Sequence, residues 1–137
     1  RSQERKTFGR YLHQHGSIGE WMARSRIEIE QARLLVLKAA WMIDNVGVKE
    51  ARKEISMIKA LVPGMLTTVT DRAMQVFGAM GLTPDTPLAD IFTAGRCLRY
   101  ADGPDEVHLQ AIARMEIKAS QANLGATAAY LTPPERL

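Results

Sequence analysis

Two long segments of this chain repeat apolar residues at alternating steps of three and four, the spacing of one face of an α-helix. In the first, the residues in phase are Ile18, Met22, Ser25, Ile29, Ala32, Val36, Ala39, Ile43 and Val46. In the second, they are Ile55, Ile58, Val62, Met65, Val69, Ala73, Val76 and Met80. The pattern predicts two amphipathic helices, the first of about eight turns, and no part of the chain predicts a strand.

The ends of both long helices carry recognisable signals. Ser17 followed three residues later by Glu20 matches a capping box, and Gly47 supplies a C-terminal stop. We expect the second helix to run from about residue 49 to residue 80. Pro63 should kink it without ending it, because the apolar phase continues across the proline.

Shorter elements complete the chain. Thr86-Pro87 predicts the start of a short helix that ends near Leu98, and a last helix is predicted over residues 104–129. Residues 2–6 are expected to be the last turn of a helix that begins upstream, and Thr132-Pro-Pro134 is expected to close the chain.

The predicted fold class is all-α, an antiparallel up-down helical bundle, because short connections make successive long helices antiparallel. Two long helices and one of medium length form three walls of such a bundle. The sequence therefore predicts that the first bundle helix is largely missing, and that the apolar surface left by it favours self-association.

Composition excludes several classes of function. At 137 residues the chain is one domain, and its net charge of +3 comes from basic residues that do not cluster, which argues against a nucleic-acid partner. Cys97 is the single cysteine, so a disulfide framework is excluded and a small core residue is expected. His13 and His15 lack a third ligand nearby, so no metal site is expected. No apolar run is long enough to span a membrane.

Asp102 lies on a tight break before the last helix, in the run Ala101-Asp102-Gly103-Pro104. From spacing alone, an N-cap for that helix is the favoured interpretation. The alternative is a general base held on a loop. His108 follows on the last helix, where it is either exposed or packed against the turn.

Two further clusters allow more than one interpretation. Arg5-Lys-Thr-Phe-Gly9 fits a solvated basic segment, and it also offers a guanidinium, a hydroxyl and an aromatic face to a phosphate-containing ligand. Gln75-Val-Phe-Gly-Ala-Met-Gly81 fits a helix C-cap, and its glycines also permit close approach of a ligand to the backbone.

Five pieces in this order and at these separations resemble the C-terminal helical domain of the acyl-CoA dehydrogenases, over roughly residues 2–125. They are Arg5-Lys-Thr-Phe-Gly9, Gln75-Val-Phe-Gly-Ala-Met-Gly81, Pro87-Leu-Ala-Asp-Ile-Phe92, Arg96-x-x-Arg99 and Asp102-Gly103. The resemblance implies a flavoprotein in which FAD lies beside this bundle. A carboxylate then removes the α-proton of an acyl-CoA thioester, and a hydride passes to the flavin.

The resemblance also implies site residues. Asp102 occupies the position of the family's usual catalytic Glu, as in a branch of the family that uses Asp. The N–H beside Asp102 would bind the thioester oxygen, and Gly103 would lie against the acyl chain. The FAD contacts implied by the resemblance are Arg5, Thr7, Phe8, Gln75, Val76, Gly78, Ala79 and Glu106, with the first three reaching the cofactor of a neighbouring subunit.

The chain departs from the family pattern at three positions: Gly16 replaces a Gln, Ala79 a second Gly and Pro104 a Thr. The resemblance implies that residues 1–137 are the C-terminal domain of a larger flavoenzyme and are inactive alone. Acyl-CoA, an electron-transferring flavoprotein and further copies in a homodimer or homotetramer are the expected partners, in a bacterial cytoplasm or a mitochondrial matrix. The alternative is a helical interaction module that has lost catalysis.

Overall fold

The computed structural model describes residues 1–121 and residue 124. Its α-helices are α1 (Gly16–Asn45), α2 (Arg52–Phe77), α3 (Leu88–Leu98) and α4 (Asp105–Gln121). Two 3-10 segments cover Leu12–Gln14 and Gly78–Leu82, and two short strands are β1 (Lys6–Thr7) and β2 (Arg10–Tyr11). The predicted continuation of the last helix beyond Gln121 and the closing Thr132-Pro-Pro134 lie outside the described residues.

Helix α2 lies at the centre of the bundle and packs against α1, α3 and α4. It is one helix with Pro63 inside it, as the continuous apolar phase predicts. Gly95 brings α3 close to α2, since a Cβ there would lie 3.0 Å from Thr67 Oγ1 and 3.4 Å from the Leu66 side chain. The short connection between α1 and α2 makes them antiparallel neighbours, and the prediction of an all-α helical bundle is confirmed.

The start of α1 differs from the sequence prediction. The helix begins at Gly16 with His15 at the N-cap and no side-chain cap, so the predicted capping box of Ser17 and Glu20 is wrong. A contact from outside the helix sets this start, since His15 Nε2 lies 3.2 Å from the carbonyl oxygen of Thr7 and 3.3 Å from its hydroxyl. Glu20 pairs instead with Arg24, one turn along the helix, at 2.7 Å.

A small antiparallel hairpin precedes α1, which corrects the expectation of a chain without strands. Lys6 pairs with Tyr11 and Thr7 with Arg10, leaving a two-residue turn of Phe8 and Gly9. Both turn residues have positive φ (51° and 77°), the geometry of the hairpin turn that follows the twist of its strands. Arg5 donates its N–H to the Arg1 carbonyl, so residues 1–5 form one turn, which ends where β1 begins.

Some of the apolar residues that the sequence predicts in the core are buried, and others are exposed. Ala32 and Ala39 of the predicted stripe are buried on α1. Other members of the same stripe are exposed: Met22, Val36, Ile43 and Val46. Outside the stripe, Leu34 is 65% exposed and Trp41 is 59% exposed. Cys97 is also exposed, so its predicted place in the core is wrong. No helix within the described part of the chain has the length and hydropathy of a membrane span.

Candidate functional site

The loop between α3 and α4 is closed at its base by two bonds. The N–H of Asp105 donates to the carbonyl of Arg99 at 3.3 Å, and Arg99 Nε donates to Asp105 Oδ2 at 2.6 Å. The hydrogen bond to Asp105 raises the pKa of the Arg99 guanidinium above its ordinary value. Because the ends are held together, residues 99–105 form a compact loop rather than an open linker.

Asp102 stands at the tip of this loop in a left-handed conformation, with φ of 57°, and Gly103 follows with φ of 102°. The Gly103 N–H donates to Tyr100 at 3.2 Å, and His108 Nε2 lies 3.2 Å from the Asp102 carbonyl oxygen. The Asp102 N–H has no acceptor among residues 1–121. Helix α4 begins at Asp105, so the structure does not support Asp102 as its N-cap.

Asp102 and His108 line a pocket of about 490 Å³ that is open to solvent at the surface of the bundle. Its volume lies within the range of small-molecule sites. Lys59 is the third polar residue of the lining, and its ammonium donates to the carbonyl of Leu98 at the end of α3. The apolar lining comes from α1, α2 and α3 and comprises Val36, Ile55, Ile58, Val62, Pro63 and Leu98. The pocket therefore combines an apolar wall with one carboxylate.

A second group lies at the C-terminal end of α2. Gly78 has φ of 66° and ψ of −145°, and its N–H bonds the carbonyls of Met74 and Gln75. The guanidinium of Arg5 lies against the same glycine, since a Cβ on Gly78 would be 3.7 Å from Arg5 Nη1. The structure thus brings Arg5 to the end of α2, beside Gly78 and near Gln75, although Arg5 is far from both in sequence.

The other residues that the resemblance implies as FAD contacts differ in how exposed they are. Phe8 is 97% exposed at the hairpin turn. Thr7 is half-buried with its hydroxyl beside His15. Val76 is half-buried, Ala79 is exposed, and Glu106 is exposed in the first turn of α4.

The Asp102 pocket is far along α2 from the cluster of Arg5, Gln75 and Gly78, which we call the Arg5–Gly78 group. Pro63 lines the Asp102 pocket, whereas Gly78 follows the end of the helix at Phe77. At about 1.5 Å per residue, roughly 20 Å of helix lies between them. One chain therefore presents its Asp102 pocket and its Arg5–Gly78 group at distant places.

The Arg5–Gly78 group has the chemistry that a dinucleotide diphosphate requires. A guanidinium forms charge-assisted bonds with phosphate oxygens, and a glycine without a Cβ lets a ligand approach the backbone. The exposed ring of Phe8 offers a face for stacking. The residues present are therefore compatible with FAD, although Thr7 is already bonded to His15.

Sequence reasoning missed two residues of the Asp102 pocket. Nothing in the apolar pattern marks Lys59, which lies on α2 and reaches the end of α3. His108 was placed on the last helix, but its bond to Asp102 depends on the backbone turn at Gly103. The first contact is tertiary, and the second is set by the local turn of the backbone.

Comparison with known proteins gives one consistent result. The family model described as the acyl-CoA dehydrogenase C-terminal domain matches residues 1–117. Acyl-CoA dehydrogenase family member 11 of Rattus norvegicus is 49% identical over 126 residues, which cover 92% of this chain and 16% of the rat protein. Acyl-CoA dehydrogenase family member 10 of Mus musculus is 55% identical over 118 residues, 86% of this chain and 11% of the mouse protein.

A solved structure agrees with these relatives. The butyryl-CoA dehydrogenase of Megasphaera elsdenii superposes with a TM-score of 0.78 at 28% identity, covering 85% of this chain and 30% of that protein. The chain thus spans less than a third of each of these proteins. It belongs to the acyl-CoA dehydrogenase family of flavoprotein oxidoreductases, and residues 1–117 correspond to the family's C-terminal domain.

Proposed function

We propose that this chain acts as the C-terminal domain of a larger FAD-dependent acyl-CoA dehydrogenase, with Asp102 as the base that removes the substrate α-proton. The observation that carries the proposal is the placement of Asp102 at the tip of a closed loop, lining an apolar pocket of about 490 Å³. An acyl chain is apolar, and the atom to be deprotonated lies beside its polar thioester.

The chemistry needs a base and a hydrogen-bond donor at neighbouring places. The α-proton passes to the Asp102 carboxylate while negative charge develops on the thioester oxygen. The Asp102 N–H, free of acceptors among residues 1–121, is available to stabilise that oxygen. When bound, FAD supplies the acceptor for the hydride that leaves the β-carbon, so the acyl thioester is oxidised to its α,β-unsaturated form.

FAD would be held by residues of two subunits. Arg5 and Gly78 are assigned to the diphosphate, with Phe8 stacking on the adenosine and Gln75, Val76 and Ala79 offering backbone contacts. Roughly 20 Å of α2 separates them from the Asp102 pocket, so the Arg5–Gly78 group of one copy would serve the FAD beside Asp102 of another. Thr7 and Glu106 are assigned as further contacts to the adenosine half.

Asp102 is exposed in this chain, so water would compete for its carboxylate and for the reacting carbonyl. A base for so weak a carbon acid needs a site from which water is excluded. The remaining domains of the flavoenzyme and the flavin ring would supply that exclusion. The chain alone is therefore expected to bind FAD weakly and to have no dehydrogenase activity.

The proposed partners follow from the same assignment. They are an acyl-CoA substrate, an electron-transferring flavoprotein or similar acceptor, and further copies in a homodimer or homotetramer. The exposed Leu34 and Trp41 on α1 support contact between copies. A bacterial cytoplasm or a mitochondrial matrix would be the site of action.

The test is Asp102→Asn in the full flavoenzyme. The amide keeps the size of the carboxylate but cannot accept the proton, so turnover of an acyl-CoA should fall by at least about 100-fold. Flavin content and binding of the acyl-CoA, measured by the change in flavin absorbance, should stay within about twofold of wild type.

The outcome also separates the proposal from its rival. An unmodified protein that retains no flavin and turns over no acyl-CoA, but forms a stable oligomer, would favour the helical interaction module. An Asp102→Asn enzyme with undiminished turnover would remove Asp102 from the mechanism and leave the family assignment intact.

A further inference from the structure

We infer that His108 is a positioning residue for the Asp102 base, acting through the Asp102 backbone carbonyl. The inference rests on the proposed function, because it concerns the base of that same site. It adds a residue of α4 that has no place in the proton transfer itself.

The donor and the acceptor of the hydrogen bond between His108 and Asp102 can be assigned. His108 Nε2 lies 3.2 Å from the carbonyl oxygen of Asp102, and a carbonyl oxygen only accepts hydrogen bonds. Nε2 must therefore carry a proton and donate it to this contact. His108 lies in the first turn of α4, so the bond ties the loop tip to a helix that packs on α2.

The loop tip needs such a restraint. Asp102 and Gly103 both have positive φ, a conformation that glycine adopts freely and that aspartate adopts at a modest cost in energy. The base of the loop is held by Arg99 and Asp105, and the Gly103 N–H is held by Tyr100. Without His108, only the Gly103 N–H would hold the peptide between Asp102 and Gly103, and a rotation of this peptide would change the direction of the carboxylate.

The His108 ring also packs directly on the tip. A Cβ on Gly103 would lie 3.2 Å from His108 Nε2, so the ring covers the space that a side chain would otherwise fill. His108 and Asp102 line the same pocket, which places the restraint beside the proposed substrate site. The hydrogen bond and the ring contact together hold both the carboxylate and the Asp102 N–H in place.

The test compares His108→Met with His108→Gln in the full flavoenzyme. Glutamine retains an N–H₂ donor near the position of Nε2, whereas methionine has nearly the same length and no donor. We expect His108→Met to lower kcat by about 10- to 100-fold with KM within about threefold, because a displaced base affects the chemical step. His108→Gln should restore kcat to within about threefold of wild type.

A second readout does not depend on turnover. Hydrogen–deuterium exchange of the peptide covering residues 99–105 should be faster in His108→Met and near wild type in His108→Gln. Gln110→Met is the control, since Gln110 is exposed on the same helix and bonds Arg114 at 3.1 Å. It should change neither kcat nor exchange in the loop.

The outcomes are distinguishable from failure of the proposed function. If Asp102→Asn is inactive and both His108 variants match wild type in kcat and exchange, the positioning role is wrong and Asp102 remains the base. Equal losses in His108→Met and His108→Gln would also overturn it, because donation to the carbonyl would not matter. If Asp102→Asn is fully active, the proposed function itself fails.

Discussion

Arg72 of α2 and Glu28 of α1 form a two-pronged ion pair that joins the two long helices. Arg72 Nη1 lies 2.6 Å from Glu28 Oε2 and Nη2 lies 2.9 Å from Oε1. Nη1 also donates to Ser25 at 3.2 Å, so the guanidinium spans two residues of α1. Paired bonds of this kind fix geometry as well as adding energy, and this pair therefore sets the register of α1 against α2.

The first prediction concerns the pH dependence of this pair. The hydrogen bond from Arg72 lowers the pKa of Glu28 below its ordinary value. Because the folded pKa is the lower one, the stabilisation is complete above the ordinary pKa of glutamate and is lost as the pH falls through the lowered pKa. Glu28→Gln should cost about 1–2 kcal/mol in the free energy of unfolding at pH 7.

Urea unfolding at pH 7 and near pH 3.5 measures the effect. The difference between wild type and Glu28→Gln should shrink as the pH falls. Glu20→Gln is the control, because Glu20 forms an exposed pair with Arg24 within one helix and should change stability by less than about 0.5 kcal/mol. A constant difference across this pH range would show that the charge of Glu28 contributes nothing.

The second prediction contrasts two glycines. Gly81 is buried, and a Cβ there would lie 2.9 Å from Met74 Cα and 3.0 Å from the Met74 carbonyl oxygen. Backbone atoms cannot move aside cheaply, so Gly81→Ala should destabilise the fold by about 1–3 kcal/mol. Gly64 lies inside α2, and none of the residues that the structure describes lies within 4 Å of a Cβ placed there, so Gly64→Ala should stabilise the fold by about 0.5–1 kcal/mol. Thermal unfolding of both variants tests this, and shifts of the same sign would contradict it.

Much of the bundle could be predicted from the sequence because a long run of apolar residues at steps of three and four indicates a helix. The phase across Pro63 predicted a single α2, and Gly47 predicted the end of α1 within two residues. Local signals were less reliable where tertiary contacts compete with them. The capping box at Ser17 was wrong because His15, bonded to Thr7, occupies the N-cap.

The candidate site was less predictable than the fold. Strands of two residues are too short for any periodicity, so the hairpin that presents Phe8 was missed. Spacing favoured Asp102 as a cap, and only the resemblance to a family pointed to chemistry. Arg5 contacts Gly78 because two distant segments pack together, and His108 reaches Asp102 because the backbone turns at Gly103. No local sequence pattern encodes either contact.

The third prediction concerns flavin binding by the full flavoenzyme. Arg5→Met removes the guanidinium that lies against Gly78, so FAD should bind about 10- to 100-fold more weakly. Arg10→Met is the matched control, because Arg10 is exposed on the opposite strand of the same hairpin. Flavin absorbance per protein after dialysis measures the loss. Equal retention of FAD by the two variants would remove Arg5 from the cofactor site.

The fourth prediction concerns the buried end of the pair between Lys38 and Glu54. Glu54 is 4% exposed, and Lys38 Nζ lies 3.2 Å from its Oε1. Burial raises the pKa of Glu54, but the hydrogen bonds from its own backbone N–H and from Lys38 outweigh this, and the pKa lies below its ordinary value. Lys38→Met should therefore destabilise the fold by about 1–3 kcal/mol, because it leaves a buried carboxylate without its cation. A double variant with Glu54→Gln should recover part of the loss, and a purely additive loss in urea unfolding would show that the two side chains are not coupled.

The fifth prediction concerns the length of the side chain that carries the proposed base. Asp102→Glu keeps a carboxylate but extends it by one methylene from a loop whose backbone is held at Arg99, Asp105 and His108. The proton acceptor is then present but displaced, so turnover of an acyl-CoA by the full flavoenzyme should fall by about 10- to 100-fold and exceed that of Asp102→Asn. Steady-state turnover of an acyl-CoA by the two variants, compared at equal flavin content, measures the difference. An Asp102→Glu enzyme no faster than Asp102→Asn would mean that the pocket accepts a base only at the depth that aspartate reaches.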